Sequence, residues 1–133
     1  MAVGEHPNIV LIKSLYEALE QRDMEAIGRR FVAEPFAHVG GNNALSGMRR
    51  GISQVLSLYE TMLEWAPDEL TLHIHDILAN EHHGLAILRV RCRRDGLTYD
   101  EYETHVYELG EDKIAGLFVY WNDPAPADRY FST

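Results

Sequence analysis

The chain has 133 residues, 46% of them hydrophobic and 25% charged, which fits one ordinary globular domain over residues 1–133. Its formal net charge of −9 argues against nucleic-acid binding, because that binding depends on neutralising phosphates with basic side chains. No apolar run reaches the roughly 20 residues of a membrane span and the N-terminus lacks a signal-peptide pattern, so we expect no membrane partner and a cytoplasmic location.

The first half of the chain predicts three helices and one short strand. Apolar residues at helical spacing predict a helix over residues 8–21, with Asn8 as its N-cap. A second, shorter helix is expected over residues 23–31. Residues 35–40 predict a short strand, and a glycine-rich loop then leads to a third helix over residues 50–64.

The second half predicts an antiparallel meander. From residue 69 the apolar period changes from helical to alternating, and three short turn sequences separate four long runs. We expect strands over residues 70–79, 84–92, 98–109 and 113–121. Helices followed by a meander favour an α+β fold over a parallel α/β fold. The proline-containing tail is expected to pack over a sheet edge or over the mouth of a pocket.

Side-chain alternation divides the strand at residues 97–109 into two faces. One face carries Glu103 and His105, and the other carries Tyr102 and Val106. Alternation alone does not say which of the two faces lies inside the protein. The assignment of faces therefore needs a second source.

The motifs predict neither a metal nor a cofactor. His73 and His75 share one strand face, but no third ligand for a metal ion is evident. The loop GGNN lacks the lysine of a phosphate-binding loop and the spacing of a dinucleotide-binding loop. A single cysteine, Cys92, excludes an intrachain disulfide, and no serine or cysteine nucleophile motif occurs. We therefore expect chemistry performed by ordinary side chains.

The order helix–helix–strand–helix–meander resembles the nuclear transport factor 2-like superfamily and, within it, the SnoaL-like, ketosteroid-isomerase-like branch. The signals are LYEALEQRDMEAI, HVGGNNALSGMRRG, ExHVY with a turn and KI, and YWND, in that order. The resemblance implies a cystatin-like α+β barrel, in which a cone-shaped, curved antiparallel sheet wraps around helices and encloses a pocket. It also implies a homodimer through the outer sheet face, where an apolar patch would otherwise be exposed. That patch consists of Phe118, Tyr120, Tyr102, Ile87 and Val106.

The resemblance assigns roles to particular side chains around the implied pocket. His38 falls at the position of the proton-transferring base, and His105 falls at the position of the acid that donates a hydrogen bond to the substrate oxygen. Glu103, two residues before His105, is expected to orient that imidazole. Tyr59 is expected to support the oxygen-binding group. The expected apolar wall consists of Leu88, Val90, Leu117, Val119 and Trp121.

Departures from the family change the expected reaction. The main catalytic tyrosine of ketosteroid isomerases falls on Leu15, and histidine replaces both carboxylic acids, so the reaction of that family is not expected. Histidine exchanges protons near neutral pH, so convergence of His38 and His105 would suit proton transfer beside a carbonyl, ring closure or activation of water. We therefore expect an isomerase, polyketide-cyclase-like enzyme or hydrolase for a small hydrophobic carbonyl or polyketide-like compound. The alternatives are a non-catalytic small-molecule-binding protein and a dimeric interaction module with a vestigial pocket.

Overall fold

The computed structural model describes residues 5–132, which form four helices and one six-stranded sheet. The helices are α1 (Pro7–Glu20), α2 (Met24–Gly28), α3 (Ile52–Glu64) and α4 (Pro124–Tyr130). The strands are β1 (Phe31–Val39), β2 (Gly47–Arg50), β3 (Glu69–Ala79), β4 (His83–Arg94), β5 (Leu97–Gly110) and β6 (Lys113–Trp121). The expected α+β class is confirmed.

The sheet is curved, unclosed and mixed. Its strand order is β2-β1-β6-β5-β4-β3, in which β3 to β6 form the expected antiparallel meander. β1 pairs in parallel with β6, and the pairing places His38 opposite Phe118. The expectation of a wholly antiparallel sheet is therefore corrected at this one junction. The meander returns the chain to β1 in the same direction that β1 itself runs, which makes the pairing parallel.

The start of α1 differs from the expectation. Pro7 occupies the first turn, and Nδ1 of His6 accepts a hydrogen bond from the backbone N–H of Asn8 at 3.1 Å. Proline suits this position because it has no N–H to satisfy and its φ angle is already helical. The side chain of Asn8 instead donates to the backbone oxygen of Asn80 at 2.9 Å. Asn8 therefore ties α1 to the β3–β4 turn and does not cap the helix.

The remaining differences concern short elements. α2 ends at Gly28, and Phe31 begins β1 instead of closing the helix, because its backbone pairs with β6 at Ile114 and its side chain is buried in the core. The four-residue β2 and the helix α4 were not expected; Asp123 caps α4 by accepting from the backbone N–H of Ala125. Within residues 5–132, no helix is long and apolar enough to cross a membrane.

The core lies between the helices and the concave face of the sheet. α1 and α3 turn apolar stripes toward the sheet, and side chains on the inner face of the meander meet them. Removal of this apolar surface from water is the main stabilising term of the fold. Completely buried members from the helices and β4 include Ile12, Val55, Ala86, Leu88, Val90 and Cys92.

Candidate functional site

A small cavity lies within this core. Its volume is about 40 Å³, which is room for a few water molecules at roughly 10–15 Å³ each. Its wall is largely apolar and includes Val39, Leu58, Met62, Leu117, Val119 and Phe131. Four polar side chains also reach it, and these are Tyr16, Tyr59, Glu103 and His105. The site therefore combines an apolar hollow with a few convergent polar groups, as ligand pockets do.

Hydrogen bonds join five side chains beside the cavity into one chain, here called the buried network. The Tyr107 hydroxyl donates to the Tyr16 hydroxyl at 2.6 Å, and the Tyr16 oxygen lies 2.8 Å from Nδ1 of His105. On the other side of the ring, Nε2 lies 2.8 Å from Oε1 of Glu103, and the Tyr99 hydroxyl donates to Oε2 at 2.9 Å. Glu103 is 4% exposed and His105 is 8% exposed, so these bonds are shielded from bulk solvent.

With a neutral His105 ring and an ionised Glu103, the buried network has one consistent arrangement of hydrogens. Tyr16 accepts from Tyr107, so the single hydrogen of Tyr16 points at Nδ1 of His105. Nε2 of the ring then carries the imidazole hydrogen and donates it to Glu103, whose other oxygen accepts from Tyr99. With a neutral ring, a carboxylate and three phenols, every hydrogen of the network meets one acceptor.

Burial raises the pKa of the four tyrosine hydroxyls in and beside the buried network, those of Tyr16, Tyr59, Tyr99 and Tyr107. Desolvation is the main cause in each case, because an apolar surrounding disfavours the phenolate. These four tyrosines therefore keep their protons near neutral pH, and Tyr16, Tyr99 and Tyr107 use them as hydrogen-bond donors. Tyr59 differs from these three because its hydroxyl takes no part in the buried network, although Tyr59 borders the cavity.

Several residues expected at the pocket do lie there. Glu103 and His105 on β5 and Tyr59 on α3 line the cavity, together with three apolar residues of β6. Those three are Leu117, Val119 and Trp121. Leu88 and Val90 are completely buried on the inner face of β4 but do not line the cavity, because α1 packs over this part of the sheet.

The structure corrects the expected position of His38. Its side chain is exposed and lies 6.4 Å from the ring of Phe118, on the outer face of the sheet. Successive residues of a strand point to opposite faces, and Ala37 and Val39 point inward with 0% and 2% exposure. The expected convergence of His38 and His105 is therefore wrong.

Tyr16 lies next to His105, although the sequence did not predict it as a site residue. Sequence reasoning matched the family tyrosine to Leu15, one residue earlier. Both residues are buried on α1, but neighbouring helical residues differ by about 100° in direction, and Tyr16 is the one that reaches His105. The available signal was a polar aromatic residue on an otherwise apolar helix face. Tyr99 and Tyr107 were also missed as site residues, although their even spacing from Glu103 and His105 puts them on the same strand face.

The C-terminal helix covers one side of the cavity. Phe131 lines it directly, and the Tyr130 hydroxyl donates to the backbone oxygen of Trp65 at 2.5 Å. The Asp128 carboxylate accepts from the backbone N–H of Asn42 and from the side-chain amide of Asn43, both at 2.9 Å. The N–H of Asn42 lowers the pKa of Asp128, so this tie is strongest when the carboxylate is ionised. The tail thus packs over the pocket, one of the two expected positions.

A curved, unclosed sheet that cups helices around an internal cavity defines the nuclear transport factor 2-like, ketosteroid-isomerase-like class of proteins. The SnoaL-like domain family matches residues 12–117, and the chain belongs to that family. The fold is of a small-molecule-binding type.

Individual relatives agree with this assignment. The uncharacterized protein Rv0034 of Mycobacterium tuberculosis is 24% identical over 123 residues, which cover 92% of this chain and 94% of the relative. The structure of Bal32a from a soil-derived mobile gene cassette is similar with a TM-score of 0.87 at 16% identity, covering 94% of this chain and 96% of Bal32a. TerC, co-crystallized with polyporic acid, is similar with a TM-score of 0.80 at 14% identity, covering 95% of this chain and 98% of TerC. At these identities the solved structures establish the fold alone.

Proposed function

We propose that this protein is a proton-transfer enzyme of the isomerase or cyclase kind, acting on a small hydrophobic compound that carries a carbonyl group. The observation that carries the proposal is the buried network, in which a histidine is held between Tyr16 and Glu103 at the edge of an apolar cavity. A buried glutamate that orients a histidine, which in turn contacts a hydroxyl group, is an arrangement used for general acid–base catalysis.

Tyr16 is the group proposed to meet the substrate. Both ring nitrogens of His105 are occupied, by Tyr16 and by Glu103, so the imidazole acts through its partners. As the Tyr16 oxygen takes a proton from the carbon next to the substrate carbonyl, the Tyr16 hydrogen moves to Nδ1 of His105. Glu103 then stabilises the imidazolium that forms. The Tyr59 hydroxyl, which lies outside the buried network at the cavity, donates to the substrate oxygen, where negative charge develops.

The size of the cavity limits what enters without movement. Its volume of about 40 Å³ is well below the roughly 150 Å³ of an engineered cavity that accepts benzene. A ring-sized substrate therefore has to displace side chains of the wall. Met62 is suited to this because its unbranched side chain repacks easily, and Phe131 belongs to the C-terminal segment over the cavity. The co-crystal of TerC with polyporic acid supports binding of a small organic molecule by this fold.

The proposed reaction is tested by hydrogen exchange in heavy water. Small cyclic ketones are incubated with the protein, and loss of the hydrogens next to the carbonyl is followed by NMR. We expect Tyr16→Phe and His105→Gln to slow the exchange by about 10²–10⁴-fold, the usual range for removing an acid–base group. The exposed His83 provides the matched control, and His83→Gln is expected to exchange at the native rate. If the ketones bind to the native protein but their hydrogens exchange no faster than with the variants, the proposed catalysis is wrong and the protein is a non-catalytic binding protein.

We further propose that the outer sheet face pairs with a second copy of the chain. Tyr102 and Tyr120 are 42% and 55% exposed on this face, beside the half-buried Phe118. Such an apolar patch is unusual on a monomer. Sedimentation velocity at micromolar concentration is expected to give a dimer for the native chain and a monomer for Tyr120→Glu. Val10→Glu, on an equally exposed residue of α1, is expected to stay dimeric. A monomeric native chain would overturn the proposal.

A further inference from the structure

Two hydrogen-bonded links connect Tyr107, Tyr16 and His105, and each link has room for one hydrogen. The tyrosine hydrogens fill both links when the ring is neutral, at 2.6 Å between the hydroxyls and 2.8 Å to Nδ1. A proton added to Nδ1 is a third hydrogen, so one tyrosine hydrogen has to turn out of the chain. Tyr107 does not border the cavity and Tyr16 does. The hydrogen released is therefore that of Tyr16, and it points into the cavity.

We propose that the charge of His105 decides whether Tyr16 accepts or donates a hydrogen bond in the pocket, and that the pocket binds an ionised ring hydroxyl, a phenolate or an enolate, together with one proton held on His105. With a neutral ring, Tyr16 offers only a lone pair to a ligand. With a protonated ring, Nδ1–H donates to Tyr16 and Tyr16 donates to the ligand oxygen. This inference rests on the proposed function, because it uses Tyr16 as the group that meets the ligand.

The charges around the ring favour this coupling. Glu103 is the only charged side chain within residues 5–132 that lines the cavity, besides His105 itself when it is protonated. The other titratable side chains around the ring are neutral, and they come from α1, α3, β4 and β5: Tyr16, Tyr59, Cys92, Tyr99 and Tyr107. Farther charges act on the ends of this group, namely Glu101 on Tyr99 and Arg22 and Glu69 on Cys92, and none of these three lines the cavity. An anion that entered alone would place a second negative charge beside a carboxylate that is 4% exposed. Uncompensated buried charge is strongly unfavourable, and one proton on His105 returns the site to a single net negative charge.

The proton that His105 gains comes either from the ligand or from solvent, and the number of protons taken up from solvent differs between the two cases. A ligand that enters as a neutral phenol donates its hydrogen to Tyr16 while the Tyr16 hydrogen moves to Nδ1 of His105, so no proton comes from solvent. A ligand that enters already ionised requires one proton from solvent. Above the pKa of the free phenol, the affinity should therefore fall by about tenfold for each pH unit.

The first test needs no ligand. The protein is labelled with ¹⁵N-histidine, and long-range proton–nitrogen NMR is used to determine which nitrogen of His105 carries the hydrogen. The inference requires a neutral ring protonated on Nε2 near neutral pH. A ring protonated on Nδ1, or on both nitrogens, in the free protein would overturn it.

The second test uses 4-nitrophenol, whose absorption distinguishes phenol from phenolate, and nitrobenzene as the same ring without the hydroxyl. We expect the bound phenol to absorb as the phenolate, both nitrogens of His105 to become protonated, and calorimetry in two buffers to show uptake of one proton per ionised ligand. The affinity for nitrobenzene should not vary with pH. Binding of both probes without proton uptake would overturn the inference and leave the proposed pocket intact. Failure of both to bind would overturn both proposals.

Two variants separate the network from simple packing. Glu103→Gln keeps an acceptor for Nε2–H and a partner for Tyr99 but removes the charge that stabilises the imidazolium, so proton uptake should be lost while nitrobenzene still binds. His73→Gln changes an exposed histidine on β3 and should leave proton uptake at the native value. Equal uptake in Glu103→Gln and in the native protein would contradict the inference.

Discussion

Removing one hydroxyl from the buried network should destabilise the fold by an amount that the hydrogen bonds set. Tyr16→Phe takes away the acceptor of the Tyr107 hydroxyl and the donor to Nδ1 of His105. Each buried polar group left without a partner costs about 1–3 kcal/mol. The cavity of about 40 Å³ borders Tyr16 and His105, so water can replace the lost donor at the ring. We therefore expect the free energy of unfolding to fall by about 2–4 kcal/mol, in the lower part of the summed range.

A second variant separates this network from loss of packing. Tyr107→Phe alone removes one hydrogen bond and leaves Tyr16 donating to His105, so it should cost about 1 kcal/mol. The double variant lacks the Tyr107 hydroxyl, so it does not carry the cost of leaving that group without a partner. The combined loss should therefore be smaller than the sum of the two single losses by about 1–3 kcal/mol.

The assay is equilibrium unfolding in urea, followed by tryptophan fluorescence and far-ultraviolet circular dichroism at one fixed protein concentration. Tyr120→Phe is the matched control, because Tyr120 is 55% exposed and loses the same single oxygen. Its free energy of unfolding should stay within about 0.5 kcal/mol of the native value. The reasoning is refuted if Tyr16→Phe behaves like Tyr120→Phe, or if the losses in the double variant simply add.

Three further predictions concern packing, site position and alkaline pH. A Cβ atom on Gly116 would lie 2.3 Å from the ring of Phe36, so Gly116→Ala should lower the free energy of unfolding in urea by about 1–3 kcal/mol. A Cβ atom on Gly110 would have nothing within 4 Å, so Gly110→Ala should leave the stability unchanged. Equal effects of the two substitutions would contradict this packing. His38→Ala should leave the hydrogen exchange of bound ketones unchanged, because that ring lies outside, and a loss matching that of His105→Gln would contradict this assignment. Burial raises the pKa of the four tyrosines in and beside the buried network, so above about pH 10 the unfolded chain releases protons that the folded chain retains, and stability falls by about 1.4 kcal/mol per pH unit for each of them. Absorbance and circular dichroism recorded together should show these tyrosines ionising only as the fold is lost, and their ionisation in the folded protein would refute the burial argument.

The long strands were predictable because one physical pattern decides them. β5 was expected over residues 98–109 and spans Leu97–Gly110, since strand-forming residues run along it without a break and successive side chains alternate between a buried and a less buried face over most of its length. β2 has only four residues, GMRR, and exists because it pairs with β1, which no local pattern reports. α4 contains two prolines near its start, which fit a first helical turn as well as they fit a loop.

The site was predictable only in part, for reasons of register. The inner face of β5 was assigned through the family resemblance, and it does carry Glu103 and His105 toward the cavity. On β1 the same reasoning counted from a loop glycine, and an error of one residue exchanges the two faces of a strand, which put His38 inside in place of Val39. The partner of His105 comes from α1, 89 residues away, so its identity depends on how the helix is rotated against the sheet.

The identity of residue 105 decides more of the pocket's chemistry than the fold does. In the ketosteroid isomerases that the sequence resembles, the carboxylic acid at this position supplies its own hydrogen to the substrate oxygen. His105 has one hydrogen when neutral, and that hydrogen is committed to Glu103. Tyr16 in turn commits its hydrogen to the ring, so with a neutral ring neither His105 nor Tyr16 has a hydrogen left to offer a carbonyl. Ligand searches with this protein should therefore compare hydroxyl and carbonyl forms of the same ring across pH, because size and hydrophobicity alone will not separate them.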